Sequence, residues 1–239
     1  MELYRTTIST PLGDMLALAS DEGLCALEFT SGLSRPNKDQ IPERGARMAR
    51  RDDRAYREYV REEQRSQPGC PARKMALDRP RQATIVEGPN RGQERLTRLN
   101  ARLGRWFPAH QIVDRETPTI ARTRDWLEDY FDGTAAEVSD LPLDMRGAAF
   151  EKRVWSALRT IPPGQTTSYG AIARALGRAG ASRAVGAANG ANPIAIIVPC
   201  HRVIGSSGSL TGYGGGLDRK TWLIDHERRW RTDLQRALF

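Results

Sequence analysis

Cys200 and His201 are neighbours in the pentapeptide Pro199-Cys200-His201-Arg202-Val203. A thiolate is a strong nucleophile, and an imidazole beside the thiol supplies a base to make it. The pair follows an apolar run, Ile194-Ala195-Ile196-Ile197-Val198, which reads as a buried strand. Burial works against reactivity, because apolar surroundings raise a thiol's pKa. Geometry adds a second condition. Neighbours along an extended strand point to opposite faces, so Cys200 and His201 can cooperate only if the chain turns tightly at Pro199. On these residues alone, a reactive thiol and a core cysteine beside a surface histidine both stay open.

Two upstream segments bear on that choice. Tyr169–Ala191 has helix-turn-helix spacing: a short helix, a glycine-bearing turn and a second helix. The second, Arg183–Ala191 with Ser182 as its expected cap, is built almost wholly of small residues. Such a face lets a backbone approach another surface closely, either a neighbouring helix or a DNA groove. Arg183 at its start adds a positive charge to the positive end of the helix dipole, a local cost that a phosphate or a base stack would offset. Asn192-Pro193 then joins this helix to the apolar run, and asparagine can stiffen such a turn through its own backbone neighbours.

The charge has the same address. The chain has 239 residues and a net charge of +8. Residues 1–147 hold 24 basic and 24 acidic side chains, whereas residues 148–239 hold 13 basic and 5 acidic. A basic excess confined to the part that carries Cys200 points to a polyanionic partner, most often nucleic acid. Cys25, Cys70 and Cys200 are odd in number and far apart, so neither a disulfide framework nor a zinc site follows. The start lacks the apolar core of a signal peptide, and no stretch reaches membrane-spanning length. A reducing, cytoplasmic compartment is expected.

The elements that must hold these residues divide at about residue 147. In the first part, Tyr4–Ile8, Met15–Ala19 and Leu24–Phe29 are strand-like runs separated by turn residues. Residues 34–95 carry 16 basic and 10 acidic side chains and few large aliphatic ones, so they read as a charged surface insertion, with a polar helix about Glu43–Ser66. Packed structure is expected to resume near Leu96, with Leu96, Leu99, Leu103 and Phe107 at helical spacing. A second helix is expected from Thr117-Pro118 to Gly133. In the second part, Phe150–Ile161 forms an apolar helical stripe ended by Pro162-Pro163. A glycine-rich loop, Gly205–Gly216, precedes a final helix from about Leu217 to Trp230. Cys25 is expected in the core, Cys70 as an exposed thiol, and His110 without a partner.

Pro199-Cys-His-Arg-Val203 now joins Arg183-Ala-Val-Gly186, Asn192-Pro193, Ser168-Tyr169-Gly170, Gly212-Tyr213-Gly214-Gly215-Gly216, Lys220-x-Trp222-Leu223 and His226-Glu227. In this order and spacing the chain resembles the O6-alkylguanine-DNA alkyltransferases, nearly continuously over 148–231 and more weakly over 1–30 and 96–145. The resemblance implies an α+β fold. Its N-terminal domain, residues 1–146, would have a small antiparallel sheet with helices (RNase H-like) and would contain the insertion. Residues 147–239 would form a mainly helical DNA-binding and alkyl-transfer domain with a helix-turn-helix.

The resemblance also implies roles. Cys200 would accept the alkyl group from guanine O6, His201 would take the thiol proton through a water, Glu227 would orient the imidazole, Asn192 would brace the turn, and Tyr169 would stabilise the departing guanine. Ser182, Arg183, Ala184, Gly186, Ala187 and Gly190, with Tyr169, would meet DNA, and Arg183 would fill the stack left by the flipped nucleotide. Val203, Tyr213, Gly214 and Lys220 would line the alkylguanine pocket. Family members often carry serine where Gly214 stands. The partner would be double-stranded DNA with alkylated guanine, and O4-alkylthymine would be a second substrate. The protein would be consumed in one turnover without cofactor or metal and would associate with the nucleoid when bound; self-association on DNA stays open. Three other readings compete: a lesion-binding relative without transfer, a helix-turn-helix regulator, and a cysteine protease. Cys200 opposes the first, and the basic domain opposes the last.

Overall fold

The computed structural model describes residues 1–30, 91–134 and 140–237. The expected Glu43–Ser66 helix and Cys70 lie outside the described residues, as does most of the expected insertion. The chain builds a four-stranded sheet from β1 (Glu2–Ile8), β2 (Met15–Ala19), β3 (Leu24–Phe29) and β4 (Gln111–Asp114), in the order β3-β2-β1-β4. The first three strands are antiparallel neighbours, as their alternation and turn residues lead one to expect. The expectation of an antiparallel sheet needs correction at β4, which lies parallel to β1 with Leu3 opposite Ile112. Gln111–Asp114 is too short and too exposed to announce itself; an Arg5–Asp114 ion pair at 2.6 Å helps hold it to the edge.

The two faces of the sheet have different cover. Leu3, Leu18, Cys25 and Ala26 pack against Leu99 and Leu103 of helix α1 (Arg91–Trp106) and against Phe107 just beyond its end. Alternate residues, among them Tyr4, Met15, Ala17, Leu27 and Phe29, join a larger core with Ile120, Leu127 and Tyr130 of helix α2 (Pro118–Asp132). Cys25 is buried as expected. Helix α2 starts where the residues require it. The Thr117 hydroxyl accepts from Ile120 N–H, proline fills the first turn, and Gly133 ends the helix at φ 75°, a conformation glycine adopts without a Cβ penalty. Helix α1 begins at Arg91, inside the segment expected to be insertion. Arg95 is buried there, because its guanidinium meets backbone carbonyls, which no apolar count reveals. His110 also differs from expectation, since its Nδ1 lies 2.7 Å from Phe107 O.

The larger core continues without a break into the second part of the chain. Val154, Trp155 and Leu158 of α3 (Ala149–Arg159), Ile172 and Ala173 of α4 (Tyr169–Ala175), and Val185 and Ala188 of α5 (Ser182–Gly190) all belong to it. Ser168 caps α4 by accepting from Ala171 N–H. The expected cap at Ser182 does not form. Helix α5 already includes Ser182, and Ala181 stands at its start without a side-chain bond. The short parallel strands β5 (Thr167–Ser168) and β6 (Val203–Ile204) pair beside them, and helix α6 (Leu217–Ala237) runs beyond the expected Trp230. Among the described residues, no helix is long and apolar enough to cross a membrane.

Ile194–Val198 is buried as its composition demands, but it is not a strand. Only Ile194 continues the sheet, with Leu27 N–H donating to Pro193 O and Ala195 N–H to Leu27 O. The chain then coils through Ile196 at φ 67°, a left-handed conformation that is uncommon for a β-branched residue. Asn192 stabilises this coil. Its Nδ2 donates to Ile194 O at 3.3 Å and Val198 O at 2.8 Å, and its Oδ1 accepts from Ile194 N–H at 3.0 Å. Apolar composition alone cannot tell a strand from a buried turn.

Candidate active site

The coil delivers Pro199 into a single 3-10 turn, Cys200–Arg202. This is the tight turn that the Cys200–His201 pair requires. Cys200 is 6% exposed, and burial pushes its thiol up to about 11, outweighing the downward pulls of Asn192 and Lys220. At neutral pH a thiol of that pKa holds only about one part in ten thousand as thiolate. Nucleophilic use of Cys200 therefore demands a base.

His201 is fully buried, and its Nε2 lies 2.8 Å from Glu227 Oε1. Burial lowers its pKa, more than the Glu227 charge raises it, so the imidazole is neutral at pH 7. With Nε2–H donating to the carboxylate, the basic lone pair sits on Nδ1, which is buried and has no protein partner. Glu227 is held from several elements at once. Arg202 donates to both its oxygens at 2.8 and 2.9 Å, Tyr130 OH to Oε1 at 2.7 Å, and Gly164 N–H to Oε2 at 3.0 Å. Burial alone would push this carboxyl up, but the charges and hydrogen bonds of His201 and Arg202 hold it well below the usual range.

Lys220 forms the next wall. It is fully buried, its Nζ donates to Val203 O at 2.6 Å and Thr211 O at 2.7 Å, and burial lowers it to about 8. Those bonds tie together the two ends of the loop between β6 and Tyr213. Tyr169, half-buried at the start of α4, donates its hydroxyl to Thr211 O at 3.2 Å and lies close enough to Cys200 to feel its charge. Tyr213 does so too, and its buried hydroxyl has no protein partner. Asn189 Nδ2 lies 3.4 Å from Cys200 O, whereas its Oδ1 is also without one. Among the described residues these are the buried side-chain polar atoms left unpaired: Asn189 Oδ1, His201 Nδ1 and Tyr213 OH. All three belong to the surroundings of Cys200. Buried polar atoms normally find partners, so their concentration here marks a place built for a polar ligand.

On α5, Ser182, Arg183, Ala184, Ala187 and Gly190 are exposed and Gly186 is half-buried, while Val185, Ala188 and Asn189 face inward. The small-residue surface is thus an outer face, held from below by Trp155 Nε1, which donates to Ala188 O at 2.9 Å. A Cβ added at Gly186 would lie 3.8 Å from the Tyr169 ring, so α4 and α5 meet closely at this point. Gly214 is exposed in the loop after Tyr213.

The structure thus gathers Cys200, His201, Glu227, Asn192, Tyr169, Val203, Tyr213 and Lys220, and leaves Arg183 outward on α5. Sequence reasoning assigned no role to Arg202, Tyr130, Gly164, Asn189 or Arg95. Arg202 stood within the quoted pentapeptide, and a cation next to a histidine expected to pair with Glu227 was a usable signal. Tyr130 read only as a core position on α2.

Comparison with known proteins shows what the chain is similar to. Residues 149–229 match the family model described as 6-O-methylguanine DNA methyltransferase, DNA binding domain. A methylated-DNA–protein-cysteine methyltransferase of Mycolicibacterium paratuberculosis is 65% identical over 100 residues, which are 42% of this chain and 60% of that protein. The match therefore spans under two thirds of that relative's length. The Mycobacterium leprae protein of the same name is 52% identical over 123 residues, covering 52% of this chain and 70% of that protein. The crystal structure of Mycobacterium tuberculosis OGT in complex with DNA superposes with a TM-score of 0.58 at 32% identity, over 96% of this chain and 94% of the other. The chain belongs to the methylated-DNA–protein-cysteine methyltransferase family.

Proposed function

We propose that this protein repairs DNA by moving the alkyl group of O6-alkylguanine onto Cys200 Sγ, once per molecule. The observation that carries the reading is the buried His201 paired with Glu227 at 2.8 Å. Its Nε2 is committed to Glu227 and its Nδ1 is free to accept, and it follows a thiol that needs a base. In the reaction His201 Nδ1 takes the Cys200 proton through a water. The thiolate then attacks the alkyl carbon, an S–C bond forms as the C–O6 bond breaks, and the electron pair leaves on guanine. A proton delivered with help from Tyr169 neutralises that anion. Glu227 stabilises the imidazolium formed on the way. The product is a thioether, which no residue among those described is placed to cleave, so one protein is consumed per lesion. O4-alkylthymine is a second substrate on the same chemistry, and the donor is the lesion itself, so no cofactor is assigned.

The base must leave the duplex to reach a buried sulfur. Exposed Arg183 on the small-residue face of α5 suits insertion into the vacated stack, with Ser182, Ala184, Gly186, Ala187 and Gly190 against the minor groove. On this reading α4 and α5 act as a helix-turn-helix, and the sheet with its helices is an RNase H-like N-terminal domain. The boundary falls near residue 147. Val203, Tyr213, Gly214 and Lys220 line the pocket, although Val203 O already accepts from Lys220. Cytoplasm, with nucleoid association on DNA, is the expected location.

Mass spectrometry after incubation with O6-methylguanine duplex tests the proposal. One methyl on Cys200, absent in Cys200→Ser, is expected. DNA binding without protein methylation would overturn it.

A further inference from the structure

Two buried guanidinium groups hold consecutive carbonyls of the glycine loop to the N-terminal sheet. Arg95 of α1 donates from Nη1 to Gly214 O at 2.9 Å and from Nε to Phe29 O at 3.3 Å, at the end of β3. Arg219 of α6 donates from Nη1 to Gly215 O and from Nε to Leu12 O, each at 2.9 Å, and stacks 4.2 Å over the Phe29 ring. The loop between them has no slack. A Cβ at Gly215 would lie 2.6 Å from the Tyr213 ring and 3.2 Å from Phe29. The Tyr213 and Phe29 rings both crowd Gly215, and Tyr213 packs against the core cluster that contains Cys200.

Arg95 lies on a helix that sequence reasoning left outside the chemistry. Seven residues along the same face, Arg102 donates to Ala191 O at 3.2 Å, where α5 ends, and approaches Glu28 at 4.0 Å. One face of α1 therefore grips both the glycine loop and the end of α5.

We propose that Arg95 is a positioning residue which, through the Gly214 carbonyl, sets the Tyr213 wall against Cys200 and so decides which alkyl groups the pocket admits. What the wall selects rests on the alkyl-transfer reading; the clamp itself does not. Guanidinium suits the task because its rigid planar fork fixes the directions of both donors, whereas the rotatable ammonium of a lysine can only partly replace it.

Full-length wild type, Arg95→Met, Arg95→Lys and, as a control on the exposed side of α1, Arg105→Met would be compared by hydrogen–deuterium exchange and by rates with free O6-benzylguanine and O6-methylguanine DNA. Arg95→Met is expected to speed exchange at least tenfold in 211–216 but not in α3 or at Cys200–Arg202. It should also change the benzyl-to-methyl rate ratio at least fivefold, with Arg95→Lys in between and Arg105→Met unchanged. Unchanged exchange in 211–216, or faster exchange throughout the chain, would overturn the clamp. Loosened exchange with an unaltered rate ratio would overturn the selective role. If wild type transfers no alkyl group, the functional reading fails, and exchange alone still decides the clamp.

Discussion

The Tyr130 hydroxyl donates to Glu227 Oε1 at 2.7 Å, the same oxygen that His201 Nε2 meets at 2.8 Å. A phenol from the first part of the chain thus shares the acceptor that orients the imidazole of the second. Stacking with Trp126 and edge contacts with Phe131 and Trp230 hold the ring in place. Competing donors withdraw charge from the carboxylate and make His201 a weaker base. Tyr130→Phe removes one donor and leaves those of Arg202 and Gly164. The acid limb of the alkyl-transfer rate profile should move up by roughly 0.5–1 pH unit. Rates from pH 5 to 9 check this; a limb that stays in place refutes the competition.

Burial holds the Cys200 thiol up at about 11, so simple alkylators that do not engage His201 should react slowly at neutral pH. Iodoacetamide labelling of Cys200 should climb about tenfold per pH unit from 7 to 9. Transfer from O6-methylguanine DNA should be much flatter over that range. Equal slopes would mean that His201 does not act as the base.

Asn192→Ala removes the three side-chain bonds that brace the Ile194–Val198 coil, leaves Ile194 N–H buried without that partner, and leaves only backbone bonds such as Val198 N–H to Ile194 O to close the coil. Urea unfolding should register a loss of about 2–4 kcal/mol. Since the coil sets up the turn at Cys200, transfer should fall even in the fraction that stays folded. A folded variant with wild-type rate would show that the φ 67° conformation at Ile196 holds without the asparagine.

A Cβ at Gly214 would meet nothing within 4 Å, and no positive φ is needed there. Gly214→Ser should fold with unchanged thermal midpoint. It should also lower the rate with benzyl substrates relative to methyl ones by about fivefold, the order expected for a small change in pocket volume. An unaltered preference in competition kinetics rejects a role for Gly214 in admitting bulkier alkyl groups.

His201 and Glu227 both have depressed folded-state pKa values. The unfolded chain therefore takes up protons first as the pH falls. Their stability contribution is complete above the unfolded histidine value of about 6.5 and drains away below it, with Glu227 adding to the loss below about 4.3. Urea midpoints should fall between pH 6.5 and 4 by a larger margin in wild type than in His201→Gln. Parallel curves would place the acid sensitivity elsewhere.

The residue types and order in Pro199–Val203, Asn192-Pro193 and His226-Glu227 carried the family resemblance and so made the proposed chemistry legible, whereas Cys200 and His201 alone left a core cysteine equally open. Period and turn residues likewise determined β1 to β3, and Thr117-Pro118 with Gly133 bounded α2, since caps and alternation act within a few residues. Tertiary structure decided the rest. The apolar run became a coil because Asn192 satisfies its backbone from the side, and β4 exists because β1 offers it an edge. Tyr130, Arg202 and Arg95 acquired partners 97, 25 and 119 residues away. Contacts across such spans depend on packing that no local pattern records, and a buried arginine looks in sequence like any solvated charge.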